Sequence, residues 1–154
     1  ADFIAIGSIG GSFCLDEFLV KCPLPVVDVM APMKIHLESY TGKTVGLIGT
    51  KIAMETKIYG VSESIDWLIP DGDDYDDVHN SYVELANAGV ASESNCSSLV
   101  SASQQLVERG AEAIVLGGTD LFLAFDEIKF PVEVIDCAEI HINRLADLAS
   151  QGSY

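Results

Sequence analysis

Residues 110–125, GAEAIVLGGTDLFLAF, are the stretch that decides the fold. The apolar run at 113–116 stops abruptly at the turn GGTD (117–120), and a second apolar stretch follows at once. This pattern predicts a buried parallel strand, a glycine turn at its carboxyl end, and a short helix with Thr119 or Asp120 as N-cap. Ligands often bind at such turns, although the turn taken alone favours a plain connection whose glycines only relieve strain.

A second strand, turn and helix stand at the start of the chain. The apolar strand at 2–6 leads into GSIGGS at 7–12, and apolar residues at near-helical spacing follow over 13–21. The loop is neither a dinucleotide fingerprint nor a Walker loop, because its spacing is wrong and the lysine is missing. The chain therefore has two glycine turns of the same build as candidate sites.

Strands alternate with helices along the rest of the chain. Further strands are predicted at 26–29, 44–48, 65–68 and 132–135, and further helices at 33–40, 51–59, 73–88, 92–109 and 138–149. The last helix is expected to face the core through Ile142, Leu145 and Leu148. This alternation predicts an α/β fold with a parallel sheet and right-handed crossovers.

The composition is that of an acidic protein with a genuine hydrophobic core. Of 154 residues 49% are hydrophobic, and 24 acidic against 8 basic residues give a net charge of −16. Nucleic acid and anionic membrane surfaces are repelled by this charge, so neither is expected as a partner. Since no apolar run reaches the roughly 18 residues of a membrane span and no signal peptide is visible, we expect a soluble, intracellular protein.

The sequence indicates no metal site. The four cysteines lack the spacing of metal ligands and are interpreted as buried free thiols in a reducing compartment. The acidic run at 71–77 fails the EF-hand pattern, and acidic residues in the first turn of a helix complement its dipole.

The turn at 117–120 resembles the C-terminal hallmark of the aspartate/glutamate racemase superfamily, in which a strand ends in Leu-Gly-Cys-Thr-Glu. Here the same place reads Leu-Gly-Gly-Thr-Asp, over residues 116–120. Residues 1–12, 45–59 and 131–142 also resemble segments of that family, in order and at sensible spacing. The resemblance covers nearly the whole chain and implies a parallel-sheet fold with two pseudo-symmetric lobes.

The first of these lobes is expected to be incomplete, because the family's opening strands have no counterpart in this sequence. Residues 1–41 with 136–154 would form a partial lobe one, and residues 42–135 would form lobe two. An isolated partial lobe would expose sheet edges and apolar faces. We therefore expect either a missing segment or a partner chain, including a second copy in a homo-oligomer.

The family's chemistry uses no cofactor, so none is expected. Two acid/base groups, usually cysteines, flank the α-carbon of an amino acid and move a proton from one face to the other. By the resemblance, Ser8 stands at the first of these positions and Gly118 at the second. A serine without a neighbouring base is too weakly acidic for this exchange, and glycine has no side chain to titrate.

The two turns are expected to face each other across a cleft that holds a small anion. Ser8 and Thr119 are the candidate hydrogen-bond donors to a reacting substrate, and the cleft beside Gly118 is expected to be roomier than usual. The candidate residues for binding the ligand are Gly7, Gly10, Gly11, Ser12, Thr50, Gly117 and Asp120.

Three functions remain open from the sequence. The first is a racemase-like protein, in effect a pseudoenzyme, that binds a small carboxylate or amino acid without two-base racemase activity. The second is a cofactor-independent isomerase or decarboxylase in which Ser8 and Thr119 stabilise an enediolate. The third is a working aspartate/glutamate racemase whose acid/base groups lie elsewhere in the chain.

Overall fold

The computed structural model describes residues 1–125 and 128–151, except the side chains of Tyr59 and Gln151. Within these residues the strands form two parallel sheets, a short one in the order β1-β2 and a larger one in the order β4-β3-β5-β6. The strands are β1 (Ile4–Ala5), β2 (Val26–Val27), β3 (Thr44–Gly49), β4 (Asp66–Leu68), β5 (Ala113–Gly117) and β6 (Glu133–Asp136).

Helices separate the strands, so the predicted α/β class with parallel strands is confirmed. The α-helices are α1 (Leu15–Lys21), α2 (Met30–Leu37), α3 (Lys51–Glu55), α4 (Lys57–Gly60), α5 (Gly72–Ala88), α6 (Glu93–Glu108) and α7 (Cys137–Gln151). Short 3-10 helices occupy Gly10–Cys14, Glu38–Tyr40 and Leu121–Ala124. None of the described helices is long and apolar enough to cross a membrane.

Strand β5 is the centre of the core, as its apolar sequence predicts. Every residue of the strand is buried, and it pairs with β3 on one side and β6 on the other. Its last residue, Gly117, pairs with Gly49 of β3, where an added Cβ would lie 2.8 Å from the Gly117 carbonyl oxygen. The two strands therefore end level and close together, which places the loops that follow them side by side.

The segment at 51–59, predicted as one helix, is divided into α3 and α4. Lys57 and Ile58 both have a φ of +53°, in the left-handed region that non-glycine residues rarely adopt. Ile58 is nevertheless completely buried, so packing of its side chain offsets the backbone strain at this break. Apolar spacing alone carries no sign of this interruption.

The inward face of α7 differs from the prediction. Ile142 is 62% exposed, whereas Leu145 and Leu148 are half-buried. Cys137 and His141 lie on the buried side instead, where the helix packs against α2 and β5. The apolar pattern misassigned this face because it treats a histidine as a surface residue.

The segment before β3 exposes apolar side chains around α1. No residue of α1 is buried, and Phe13, just before the helix, is 75% exposed. The expectation of buried thiols holds only for Cys137, because Cys14, Cys22 and Cys96 are half-buried. All four cysteines are free thiols.

Candidate functional site

A cavity of about 280 Å³ lies where β3 and β5 end, between the first glycine loop and the turn after β5. Its wall is completed by one side of α5 and by the start of α3. The lining residues are Ser8, Ile9, Gly10, Thr50, Ala53, Tyr82, Val83, Ala86, Asn87, Gly117 and Asp120.

Five of the residues predicted from the sequence meet in this cavity, and the others do not line it. Those that meet are Ser8, Gly10, Thr50, Gly117 and Asp120. Gly7, Gly11, Ser12, Gly118 and Thr119 are not among the lining residues. Ser12 faces a separate cavity beside Lys34, and its Oγ is buried without a hydrogen-bond partner. The two turns therefore share a cleft, but each contributes only part of its loop.

Thr50 has a structural role besides its place in the cavity wall. It is the N-cap of α3, and its Oγ1 accepts a hydrogen bond of 3.2 Å from the backbone N–H of Ala53. The next amide, of Lys51, donates to Nδ1 of His79 at 3.2 Å. The Thr50 hydroxyl hydrogen is not used by the cap and can be donated to a ligand.

The space beside Gly118 is filled, so the expectation of extra room is wrong. A Cβ added to Gly118 would lie 2.6 Å from Cε1 of Tyr82, and nearer still to its Cζ and Oη. Tyr82 comes from α5 and is 8% exposed. The missing side chain at position 118 therefore leaves no hole, because a ring from another element occupies its place.

The phenol of Tyr82 is uncharged at neutral pH. Burial raises its pKa to about 12, and the Asp120 carboxylate, with the Cys137 thiolate that forms only at alkaline pH, acts in the same direction. The backbone amides of Asp120 and Thr119 oppose the shift. The phenol oxygen therefore accepts from the amides of this turn, and its O–H remains able to donate to a ligand. Tyr82 cannot act as a base at neutral pH, because it would first have to lose this proton.

Cys137 lies near the same turn but outside the cavity. Its side chain is fully buried, and burial, followed by the charge of Asp136, raises its pKa to about 12. The backbone amide of Gly118 partly opposes that shift. Because the thiolate is the reactive form of cysteine, this thiol is unreactive at neutral pH.

His141 is also buried near the junction of the two sheets. Neither ring nitrogen has a hydrogen-bond partner, and burial lowers the pKa of the ring. The Asp28 carboxylate and the backbone of Ile6 act in the opposite direction. His141 does not line the cavity, so it is a packing residue in this structure.

The cavity combines one negative charge with several uncharged donors. Among its described lining residues, Asp120 is the charged side chain, and Ser8, Thr50, Tyr82 and Asn87 offer hydroxyl or amide groups. No group of three or more His, Cys, Asp or Glu side chains suited to a metal ion is found in residues 1–125 and 128–151.

Sequence reasoning missed Tyr82 and Cys137. Cys137 could have been found, because it follows β6, whose Asp136 pairs with Leu116 of β5. Adjacent parallel strands bring their following residues to the same edge, so strand order was the missing signal. For Tyr82 the apolar spacing of α5 indicates only a core position.

The chain is similar to proteins of one family. A family model described as Asp/Glu/hydantoin racemase matches residues 1–145. A protein from Yersinia pestis assigned as an Asp/Glu racemase shares 24% identity at a TM-score of 0.80, over 98% of this chain and 67% of that one. An aspartate racemase homologue from Pyrococcus horikoshii shares 24% identity at a TM-score of 0.73, over 97% of this chain and 67% of that one.

Another similar structure contains an amino acid. A glutamate racemase from Francisella tularensis, solved in complex with D-glutamate, shares 16% identity at a TM-score of 0.67, over 99% of this chain and 59% of that one. At these identities the structural likeness establishes the fold alone. The chain spans about two thirds of the length of the first two structures.

Proposed function

This chain belongs to the Asp/Glu/hydantoin racemase family, and from that premise we propose that it binds a small carboxylate or amino acid without two-base racemase activity. The ligand would occupy the cavity between the two glycine turns. The observation that carries this proposal is at Gly118, where the resemblance places an acid/base residue. That position has no side chain, and the uncharged phenol of Tyr82 fills its space.

The chemistry of the cavity suits an amino acid better than a simple dicarboxylate. Hydroxyl and amide donors can hold a carboxylate, whereas the carboxylate of Asp120 repels a second negative charge and attracts an ammonium group. A zwitterion matches both the uncharged donors, which hold its carboxylate, and the Asp120 carboxylate, which attracts its ammonium group. The volume of about 280 Å³ lies near the lower end of ordinary ligand sites, which favours a small molecule.

Racemisation by two bases needs a proton acceptor on one face of the α-carbon and a donor on the other. Asp120 is the one carboxylate among the described lining residues, and no hydrogen bond links it to Ser8. The cavity therefore supplies at most one of the two bases, because Tyr82 keeps its proton at neutral pH. The loss of one positioned acid/base group reduces a rate by roughly 10²–10⁴-fold, and loss of both compounds the effect. The protein would therefore bind its ligand without exchanging the proton on the ligand's α-carbon.

The alternative function is a cofactor-independent isomerase, racemase or decarboxylase for small amino or carboxylic acids. It is favoured by the cluster of uncharged donors at the ends of β3 and β5, since such donors stabilise an enediolate or another developing oxyanion. In this reading Ser8 contacts the substrate from the first loop, whereas Thr119, the other donor expected from the sequence, does not line the cavity.

Calorimetric titration with L- and D-aspartate, L- and D-glutamate, and succinate tests the proposal. Binding of at least one amino acid is expected, weakened roughly 10-fold by Ser8→Ala because a hydrogen bond to a charged group is lost. Ser12→Ala is the matched control, since Ser12 lies in the same loop but outside the cavity. Absence of binding to all five compounds would contradict the proposal, and turnover abolished by Ser8→Ala would favour the alternative.

A further inference from the structure

Tyr82 is the residue that most closely blocks a side chain at position 118. The three heavy atoms nearest to a Cβ added at Gly118 all belong to Tyr82. At the neighbouring Gly117 such a Cβ would instead meet backbone, 2.9 Å from the carbonyl oxygen of Ile48. Gly118 also has no left-handed φ, so its backbone would accept an L-residue if Tyr82 were smaller.

Tyr82 is held firmly in this position. It lies on α5, a 17-residue helix, between Val78 and Leu85, which are both fully buried. These residues form one apolar stripe that packs α5 against the core. The ring is therefore fixed by the helix, while the residue remains part of the cavity wall.

We infer that Tyr82 is a ligand-contacting residue that replaces the side chain absent at position 118. Its ring fills the space beside Gly118, and its hydroxyl donates a hydrogen bond to the ligand carboxylate. This inference deepens the proposed function and rests on it. It assigns a binding role to a residue that comes from a helix and not from either glycine turn.

The groups around the hydroxyl are one carboxylate, Asp120, whose charge raises the pKa of the phenol, and two backbone amides. A neutral phenol donates to a carboxylate without requiring an ion pair, and the nearby amides of Thr119 and Asp120 add positive potential to the same spot. The Asp120 side chain, which also lines the cavity, then remains for the ammonium group. Tyr82 and Asp120 together would set the orientation of a bound amino acid.

The hydroxyl is tested by comparing Tyr82→Phe with the wild-type protein in titrations with L-aspartate, D-aspartate and succinate. Tyr82→Phe keeps the ring and is expected to weaken binding roughly 10-fold or more, with little change in the unfolding midpoint. Tyr75→Phe is the matched control, because Tyr75 lies on the same helix and its hydroxyl bonds Glu55 outside the cavity. Equal affinities of Tyr82→Phe and the wild-type protein would overturn the inference.

The replacement of side chain 118 is tested separately, without any ligand. Gly118→Ala is expected to raise the unfolding equilibrium constant roughly 5- to 150-fold, as overpacking does, and to cost much less in a Tyr82→Leu background. An equal loss of stability from Gly118→Ala in both backgrounds would contradict the inference that Tyr82 fills the space of side chain 118. A further outcome is that the wild-type protein binds none of the probes while Gly118→Ala still costs much less stability in the Tyr82→Leu background. That result would contradict the proposed function and the binding role of the Tyr82 hydroxyl, and it would support only the conclusion that Tyr82 fills the space of side chain 118.

Discussion

Acid should destabilise this protein through His141. The side chain is 4% exposed on α7, and neither ring nitrogen has a hydrogen-bond partner. Burial lowers its pKa below the ordinary value of 6.5, with Asp28 and the Ile6 backbone offsetting part of the shift. The folded protein therefore keeps this ring neutral in a range where the unfolded chain takes up a proton.

The sign and size of the effect follow from proton linkage. Above pH 6.5 the ring is neutral in both states and contributes no pH dependence. Below it the unfolded state binds more protons, so the free energy of unfolding falls by up to about 1.4 kcal/mol per pH unit. The free energy of unfolding stops falling below the pKa of His141 in the folded protein, because the ring is then protonated in both the folded and the unfolded state.

Urea unfolding followed by fluorescence of Trp67, the single tryptophan of the chain, measures this effect. Between about pH 5 and pH 8, His141→Leu should show a flatter stability profile than the wild-type protein. Half-buried Asp136, whose raised pKa makes stability fall as pH rises, is present in both proteins, so its contribution cancels in the comparison. Equal slopes for wild type and His141→Leu would refute the reasoning.

Three further substitutions test the fold that positions the cavity, each by the same urea unfolding. Ser92→Ala removes the capping box with Asn95 at the start of α6 and should cost about 1 kcal/mol; an unchanged midpoint would contradict that role. Leu106→Ala empties a fully buried site beside β3 and should cost about 2–5 kcal/mol, and a loss under about 1 kcal/mol would argue against this packing. Gly49→Ala should destabilise the protein and weaken ligand binding, because its Cβ would press on the Gly117 carbonyl at 2.8 Å; a neutral effect would mean that the strand ends are not so close.

The sequence predicted the larger features of this fold because they depend on apolar periodicity. The run before Gly117 has the β-branched centre and the abrupt glycine end that predict a buried strand, and strands alternate with helices along the chain. The break at Lys57–Ile58 escaped prediction because it depends on tertiary packing of a strained residue. His141 escaped because a buried, unpaired histidine looks like a surface residue in a hydropathy pattern.

The candidate site was predictable only where it is local in sequence. Ser8 and Asp120 could be named from their glycine turns, and both line the cavity. The expectation of free space beside Gly118 was wrong because a residue distant in the chain fills it. A glycine shows that a side chain is missing, but only the three-dimensional packing shows what stands in its place.

The most direct test of the account is proton exchange at the α-carbon. The wild-type protein is incubated in heavy water with L- and D-aspartate and with L- and D-glutamate, and the α-proton signals are followed by NMR. Because Gly118 offers no titratable group and Tyr82 stays protonated, the account predicts that these signals persist. Loss of an α-proton signal with the wild-type protein, abolished by Ser8→Ala, would contradict it.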